Sequence, residues 1–149
     1  MSKADDGLRR IVQDYLPKPM WLWTPIESGG THQGVPDSHW AHPASQTSGW
    51  IEHKATDGWA VTVRPHQIAW MSRHAAAGVR VHVLVRARGV GSAAGRGDAL
   101  WVLAGRCVGR LAEGGLEGLD HGDVLLRCAG RPAQWDWPAL GNILTLRQS

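Results

Sequence analysis

Residues 49–86, GWIEHKATDGWAVTVRPHQIAWMSRHAAAGVRVHVLVR, carry the pattern that decides the fold. The first six of these residues, 49–54, have the composition of a strand that ends in polar side chains. A turn at 56–58 (Thr-Asp-Gly) then leads into a second extended run at 59–64. This pattern predicts a hairpin or meander.

The second half of the same stretch predicts a helix followed by a buried strand. Pro65 is a favourable first residue of a helix, and Gly78 is a favourable terminator. Residues 79–86 alternate and then become fully apolar, which is typical of a strand buried on at least one face. The helix is long enough to act as a crossover between parallel strands, so we expect the strands on either side of it to pair in parallel.

The flanking regions add further elements to this unit. Leu8, Ile11, Val12, Tyr15 and Leu16 recur at helical spacing. In order, the patterns predict a helix at 4–16, a strand at 21–26, an extended piece at 34–40, a polar loop at 41–48, a Gly-rich basic loop at 88–98, a strand at 99–103, a short helix at 108–113, a strand at 124–128 and a terminal helix at 133–144. Strands alternating with helices predict an α/β domain.

Length and composition limit the class of protein. A chain of 149 residues fits one domain spanning 1–149. The net charge of +3, with 13 of the 16 basic residues being Arg, favours a polyanionic partner. No long apolar stretch or secretory leader is present, so we expect a cytoplasmic protein without a membrane span. Cys107 and Cys128 are too few for a thiolate zinc site and are expected to be reduced core thiols.

Nine tryptophans and no phenylalanine make an unusual aromatic composition. Most of the tryptophans lie within apolar patterns, and we expect them to be in the core. Base stacking by one or two of them is the alternative, because aromatic side chains line many single-strand grooves.

The residues with the clearest chemistry are Asp37, Glu52 and Lys54. Residues two apart in a strand face the same side, so Glu52 and Lys54 point together while His53 points away. A neighbouring strand can bring Asp37 alongside. Two converging carboxylates repel each other unless a cation lies between them, and Mg²⁺ prefers carboxylates and water. A lysine beside this pair could position a hydrolytic water.

Two simpler interpretations remain open at this stage. Glu52 and Lys54 could form an exposed ion pair of little energetic value. The cluster of His32, His39 and His42 around Asp37 could indicate zinc, but its spacing fits neither an H-E-x-x-H nor a zinc-finger pattern. We expect these histidines to contact solvent or phosphate instead.

Four motifs in order, running from about residue 27 to residue 86, resemble those of the PD-(D/E)XK nuclease superfamily, and within it the small phage and VRR-NUC type nucleases related to Holliday junction resolvases. The motifs are Ile26-Glu27, Gly34-Val35-Pro36-Asp37, Trp50-Ile51-Glu52-His53-Lys54, and the run from Arg64 to Trp70 followed by Gly78. The resemblance implies a restriction-endonuclease-like α/β fold, with a central mixed sheet flanked by helices.

The resemblance also implies roles for individual residues. Asp37 and Glu52 would ligate Mg²⁺ or Mn²⁺, with the backbone carbonyl of His53 as a further ligand, and Lys54 would assist the water. Gln67 would support the metal or the scissile phosphate, although it could simply be a polar residue at a helix start. Glu27 matches an upstream acid of the family, and a turn-stabilising acid is the alternative.

The expected activity is therefore metal-dependent hydrolysis of DNA, selective for branched, flapped or single-stranded structures. The chain has little length to spare for sequence-reading elements. For a phage-encoded protein the compartment would be the host cytoplasm, and cutting of paired strands would favour a twofold homodimer. The alternative function is a nucleic-acid-binding or packaging accessory protein that retains the fold without cleavage.

Overall fold

The structure is a computed structural model, and it describes residues 5–27, 33–89 and 97–146. Its elements are β1 (Leu22–Pro25), β2 (Ser38–His42), β3 (Thr47–Thr56), β4 (Val81–Arg88), β5 (Asp98–Ala104) and β6 (Val124–Ala129), with α1 (Leu8–Tyr15), α2 (Pro65–Ala76), α3 (Val108–Gly114) and α4 (Trp137–Thr145). Within these ranges, no helix has both the length and the apolar character needed to cross a bilayer.

The six strands form one sheet in the order in which they occur along the chain. Every neighbouring pair is antiparallel except β3 and β4, which run parallel and are joined by the crossover helix α2. The parallel pair and the helix from Pro65, closed by Gly78 at a φ of 89°, confirm the prediction from residues 65–86. The fold is α/β with a central mixed sheet flanked by helices, as expected, and is consistent with a restriction-endonuclease-like architecture.

Each face of the sheet has its own apolar core. On one face Ile51 and Leu84 pack with residues of α1 and α4, including Leu8 and Leu140. On the other face, valines of β4 pack with residues of α2 and α3, including Met71. Five tryptophans are buried and four are half-buried, which fits a mainly structural use of this residue: the buried ones are Trp21, Trp40, Trp101, Trp135 and Trp137. Both cysteines are buried and unpaired, as expected.

Two sequence predictions for this region are wrong. Residues 41–48 are not a loop, because β2 continues to His42 and β3 begins at Thr47, leaving a tight turn in which Gln46 has a φ of 56°. Residues 59–64 do not form a strand. The carbonyl of Trp59 accepts a hydrogen bond from the N–H of Leu116, and Val61 is buried in the core on the α2 side of the sheet.

The ends of several elements also shift. The first helix begins at Leu8 instead of residue 4, which lies outside the described residues, and the last helix begins at Trp137 after a short 3₁₀ turn at Pro132–Gln134. Just before the first helix, Asp5 accepts hydrogen bonds from the N–H groups of Gly7 and Arg9. Most of the predicted basic loop at 88–98 also lies outside the described residues.

Candidate active site

Asp37 and Glu52 meet where β2 and β3 pair. The antiparallel register places Ser38 opposite Ile51, so Asp37, which immediately precedes β2, lies next to Glu52 on β3. The backbone N–H of Asp37 donates a hydrogen bond to Oε1 of Glu52 over 3.1 Å. The expected juxtaposition of the two acids therefore follows from the register of the hairpin.

His53 holds the carboxylate of Asp37 on the other side. Its backbone N–H donates to Oδ2 over 2.8 Å, and its ring Nδ1 lies 2.7 Å from Oδ1. The hydroxyl of Ser38 also donates to Oδ1, over 2.8 Å. Burial acts to raise the pKa of Asp37, but the hydrogen bonds and charge of His53 outweigh it and leave the pKa below its usual value. Asp37 is therefore held as an anion.

Glu52 has the opposite electrostatic character. Its side chain is only 8% exposed. Burial, together with the negative charge of Asp37, raises the pKa of Glu52 to about 7, and Lys54 and His53 offset part of this effect. Two neighbouring carboxyl groups with pKa values displaced in opposite directions are typical of sites that handle protons or bind cations.

Lys54 and Gln67 complete the cluster around Glu52. Nζ of Lys54 lies 3.5 Å from Oε2 of Glu52 and donates to Oε1 of Gln67 over 2.9 Å. Nε2 of Gln67 donates to Oε2 of Glu52 over 3.1 Å. The Lys54 side chain is 13% exposed, so the interpretation of Glu52 and Lys54 as an exposed surface pair is wrong.

Gln67 is the polar residue at a helix start that its sequence position suggested, and its amide also contacts Lys54 and Glu52. Its Oε1 also accepts the backbone N–H of Arg64 over 3.1 Å, which satisfies an otherwise unpaired donor at the start of α2. The same side chain therefore stabilises the first turn of the helix and bridges Lys54 to Glu52. The helix start fixes where the amide lies relative to β3.

Two other predicted groups do not join this cluster. Glu27 is exposed, and in the described part of the chain it has no hydrogen bond or ion pair. His42 contacts Ser45 and the ring of Trp21, and His39 packs against Trp50. His32 lies outside the described residues. Across the ranges 5–27, 33–89 and 97–146, no group of three or more His, Cys, Asp or Glu side chains is placed to bind a metal.

The donor set nevertheless suits a hard divalent cation. Mg²⁺ is commonly held by one or two carboxylates, with water filling the remaining positions. Asp37 and Glu52 supply such a pair of carboxylates. Burial of Glu52 beside the charge of Asp37 raises its pKa in the absence of a cation, and a bound cation would relieve that repulsion.

The surrounding sequence contains little other negative charge. Between residues 28 and 97 the only acids are Asp37, Glu52 and Asp57, and two of these three are the candidate ligands. The same segment contains seven Lys or Arg residues: Lys54, Arg64, Arg73, Arg80, Arg86, Arg88 and Arg96. The two candidate ligands therefore lie within a segment of net positive charge.

Comparisons with protein-family models, with curated proteins and with solved structures found no match. The function is therefore inferred from the geometry of the site itself.

Proposed function

We propose that this protein is a metal-dependent DNA nuclease whose site consists of Asp37, Glu52, Lys54 and Gln67. The observation that carries the proposal is the convergence of Lys54 and Gln67 on the buried carboxylate of Glu52, beside the second acid. An accidental ion pair would not explain why a helix N-terminus contributes an amide to the same carboxylate.

In this proposal Asp37 and Glu52 hold Mg²⁺ or Mn²⁺, together with the backbone carbonyl of His53. When bound, the cation makes a hydrolytic water more acidic and stabilises the charge that develops on the scissile phosphate. Lys54, fixed by Gln67, orients the attacking water and adds positive charge beside the phosphate. Hydrolysis breaks one P–O bond of the backbone, forms a P–O bond to the water oxygen and leaves a proton on the departing hydroxyl.

The test is cleavage of labelled single-stranded, duplex, flapped and four-way DNA in Mg²⁺, Mn²⁺ or EDTA. We expect cleavage only with metal, and a loss on the order of 100-fold or more in the Asp37→Asn, Glu52→Gln and Lys54→Met variants. Asp57→Asn is the matched control, because it removes a nearby exposed acid outside the cluster. Full activity of the Glu52→Gln and Lys54→Met variants would refute the proposed site.

A second candidate function is DNA binding without cleavage. The observation that favours it is that both oxygens of Asp37 already accept hydrogen bonds from His53. If the wild type binds every DNA substrate but cuts none with either metal, this accessory role replaces the nuclease.

Gel filtration with and without DNA would test the twofold dimer that paired cutting would require.

A further inference from the structure

Four aromatic rings form a continuous ladder beside the candidate site, and we call them the aromatic ladder: His39, Trp50, Trp70 and His74. The edge contact between His39 and Trp50 has ring centroids 4.8 Å apart, and that between Trp50 and Trp70 has centroids 5.4 Å apart. Trp70 and His74 are stacked with centroids 3.6 Å apart. All four side chains are half-buried, so each retains part of its surface in solvent.

The strands place the ladder directly next to the acids. Trp50 lies two residues before Glu52 on β3, so both side chains are on the same face, about 7 Å apart along the strand. His39 lies opposite Trp50 in the β2–β3 register and two residues after Asp37. A ligand lying on these rings is therefore within one nucleotide or so of the carboxylates.

Helix α2 also connects the aromatic ladder to the candidate site. Trp70 follows Gln67 by three residues and His74 follows Trp70 by four, so these side chains occupy one side of the helix. Within the described part of the protein, the indole N–H groups of Trp50 and Trp70 both lack a hydrogen-bond partner. The ladder therefore offers polar ring edges as well as ring surface.

The approach to the ladder is open and lacks negative charge. Thr24 on β1 pairs with His39, and both Thr24 and Leu22 on this face are exposed, Leu22 to 49%. Helix α2 contains no acid, and Arg64 and Arg73 are exposed at its two ends. A phosphate backbone can follow this surface without repulsion until it reaches Asp37 and Glu52.

We propose that the aromatic ladder stacks against unpaired bases of single-stranded DNA and thereby presents an adjacent phosphodiester to the acids. This inference rests on the proposed function and assigns its substrate class. Unpaired bases stack on tryptophan and histidine rings, whereas bases within a duplex are already stacked on one another and cannot reach these rings. The ladder therefore selects single strands, and the unpaired arms of branched DNA.

Binding in EDTA separates this proposal from cleavage. The probes are a fluorescently labelled 15-nucleotide oligothymidylate, an oligonucleotide of the same length with abasic residues, and a duplex of the same length, measured by fluorescence anisotropy. The variants are Trp50→Leu, Trp70→Leu and His74→Ala, with ring-retaining Trp70→Phe as the rescue. Trp23→Leu is the matched control, because Trp23 is also half-buried but packs on the opposite core.

We expect each ladder variant to lose about tenfold in affinity for oligothymidylate and to bind the abasic probe like the wild type, since the abasic probe has no base to stack. Trp70→Phe and Trp23→Leu should bind both probes like the wild type. Equal losses on the two probes, or no loss in folded Trp70→Leu and His74→Ala proteins, would overturn the stacking role. If Trp50→Leu does not fold, the other two variants decide.

The two proposals fail in different ways. If the wild type binds the base-containing probe more tightly than the abasic probe in EDTA but cleaves nothing in Mg²⁺ or Mn²⁺, the stacking role is supported and the nuclease proposal is refuted. If the wild type cleaves DNA in a way that depends on Glu52 but binds the two probes equally, the nuclease proposal is supported and the stacking role is refuted.

Discussion

Replacing Glu52 with glutamine should stabilise the folded protein at high pH while abolishing its activity. The wild-type carboxyl has a pKa of about 7 when folded and an ordinary value of 4.5 when unfolded. The unfolded chain therefore releases its proton first as the pH rises, which favours unfolding progressively from pH 4.5 to pH 7. Over that window the titration of Glu52 lowers the free energy of unfolding by about 3 kcal/mol, and the full loss is present above pH 7.

The Glu52→Gln variant has no such loss. Its amide oxygen can still accept the Asp37 N–H, but the second acceptor, used by the side chain of Gln67, is gone, at a cost of about 1 kcal/mol. The variant should thus be about 2 kcal/mol more stable than the wild type at pH 8 and about equally stable near pH 5. The magnitude depends on burial of the carboxylate beside Asp37, which is what the structure shows.

Urea unfolding followed by tryptophan fluorescence in EDTA, at pH 5, 6, 7 and 8, measures this difference. Asp57→Asn should differ from the wild type by less than about 0.5 kcal/mol at every pH, because that acid is exposed. Adding Mg²⁺ at ten times its dissociation constant should raise the wild type by about 1.4 kcal/mol and leave Glu52→Gln unchanged. A Glu52→Gln protein that is less stable than the wild type at pH 8, by the same margin as at pH 5, would refute the reasoning.

Three further predictions concern the framework around the site. Burial and the charge of Arg80 lower the pKa of His82 to about 4, so the titration of His82 should lower the free energy of unfolding by about 3 kcal/mol between pH 7 and pH 4, opposite to the effect of Glu52, because the unfolded chain takes up the proton first. Relative to the wild type, His82→Leu should therefore gain about 3 kcal/mol of unfolding free energy on going from pH 7 to pH 4, measured by urea titration at the two pH values. Asp98→Ala should cost about 3–5 kcal/mol of unfolding free energy, because Arg86, 10% exposed and 2.6 Å from Asp98, would be left as a buried unpaired charge. Gly49→Ala should cost about 1–3 kcal/mol by thermal unfolding, because its Cβ would lie 2.8 Å from Cβ of Arg80 and 2.9 Å from the Arg80 carbonyl oxygen.

Local sequence signals were sufficient for the centre of the fold. Pro65 and Gly78 fix the ends of α2 through their own backbone preferences, and the apolar run of β4 can only be buried. The parallel β3–β4 pair follows from these two elements. The signals for the helix and for β4 lie within the segment itself, which explains why residues 65–88 were predicted closely.

The missed elements depend on contacts that a sequence pattern does not display. The β2–β3 turn requires Gln46 at a positive φ, a conformation that the neighbouring residues do not predict. Residues 59–64 alternate like a strand, but Val61 packs in the α2-side core and Trp59 hydrogen-bonds to Leu116. The contacts of these residues with α3 and its following turn, which replace a strand partner, are not visible in the sequence.

The site was partly predictable for a similar reason. The Glu-x-Lys spacing placed Glu52 and Lys54 on one face, and the hairpin register brought Asp37 to them. The side chain of His53 was missed, because alternation indicated only that it points away and not that its ring reaches Asp37. Its spacing of 16 residues from Asp37 is no recognisable signal. The pKa of Glu52 also depends on burial, which only the folded structure supplies.

Gln67 bonds both to the first turn of α2 and to the side chains of Lys54 and Glu52. We therefore expect the helix start and this cluster to form and to open together. Fraying of that turn releases the Arg64 amide and, in the same event, frees Lys54 and uncovers Glu52. An amide cannot titrate, so this connection holds at every pH at which the protein is folded. The rate of amide hydrogen exchange in the first turn of α2 should consequently report whether Lys54 and Gln67 are in contact with Glu52, and it can be measured without any substrate.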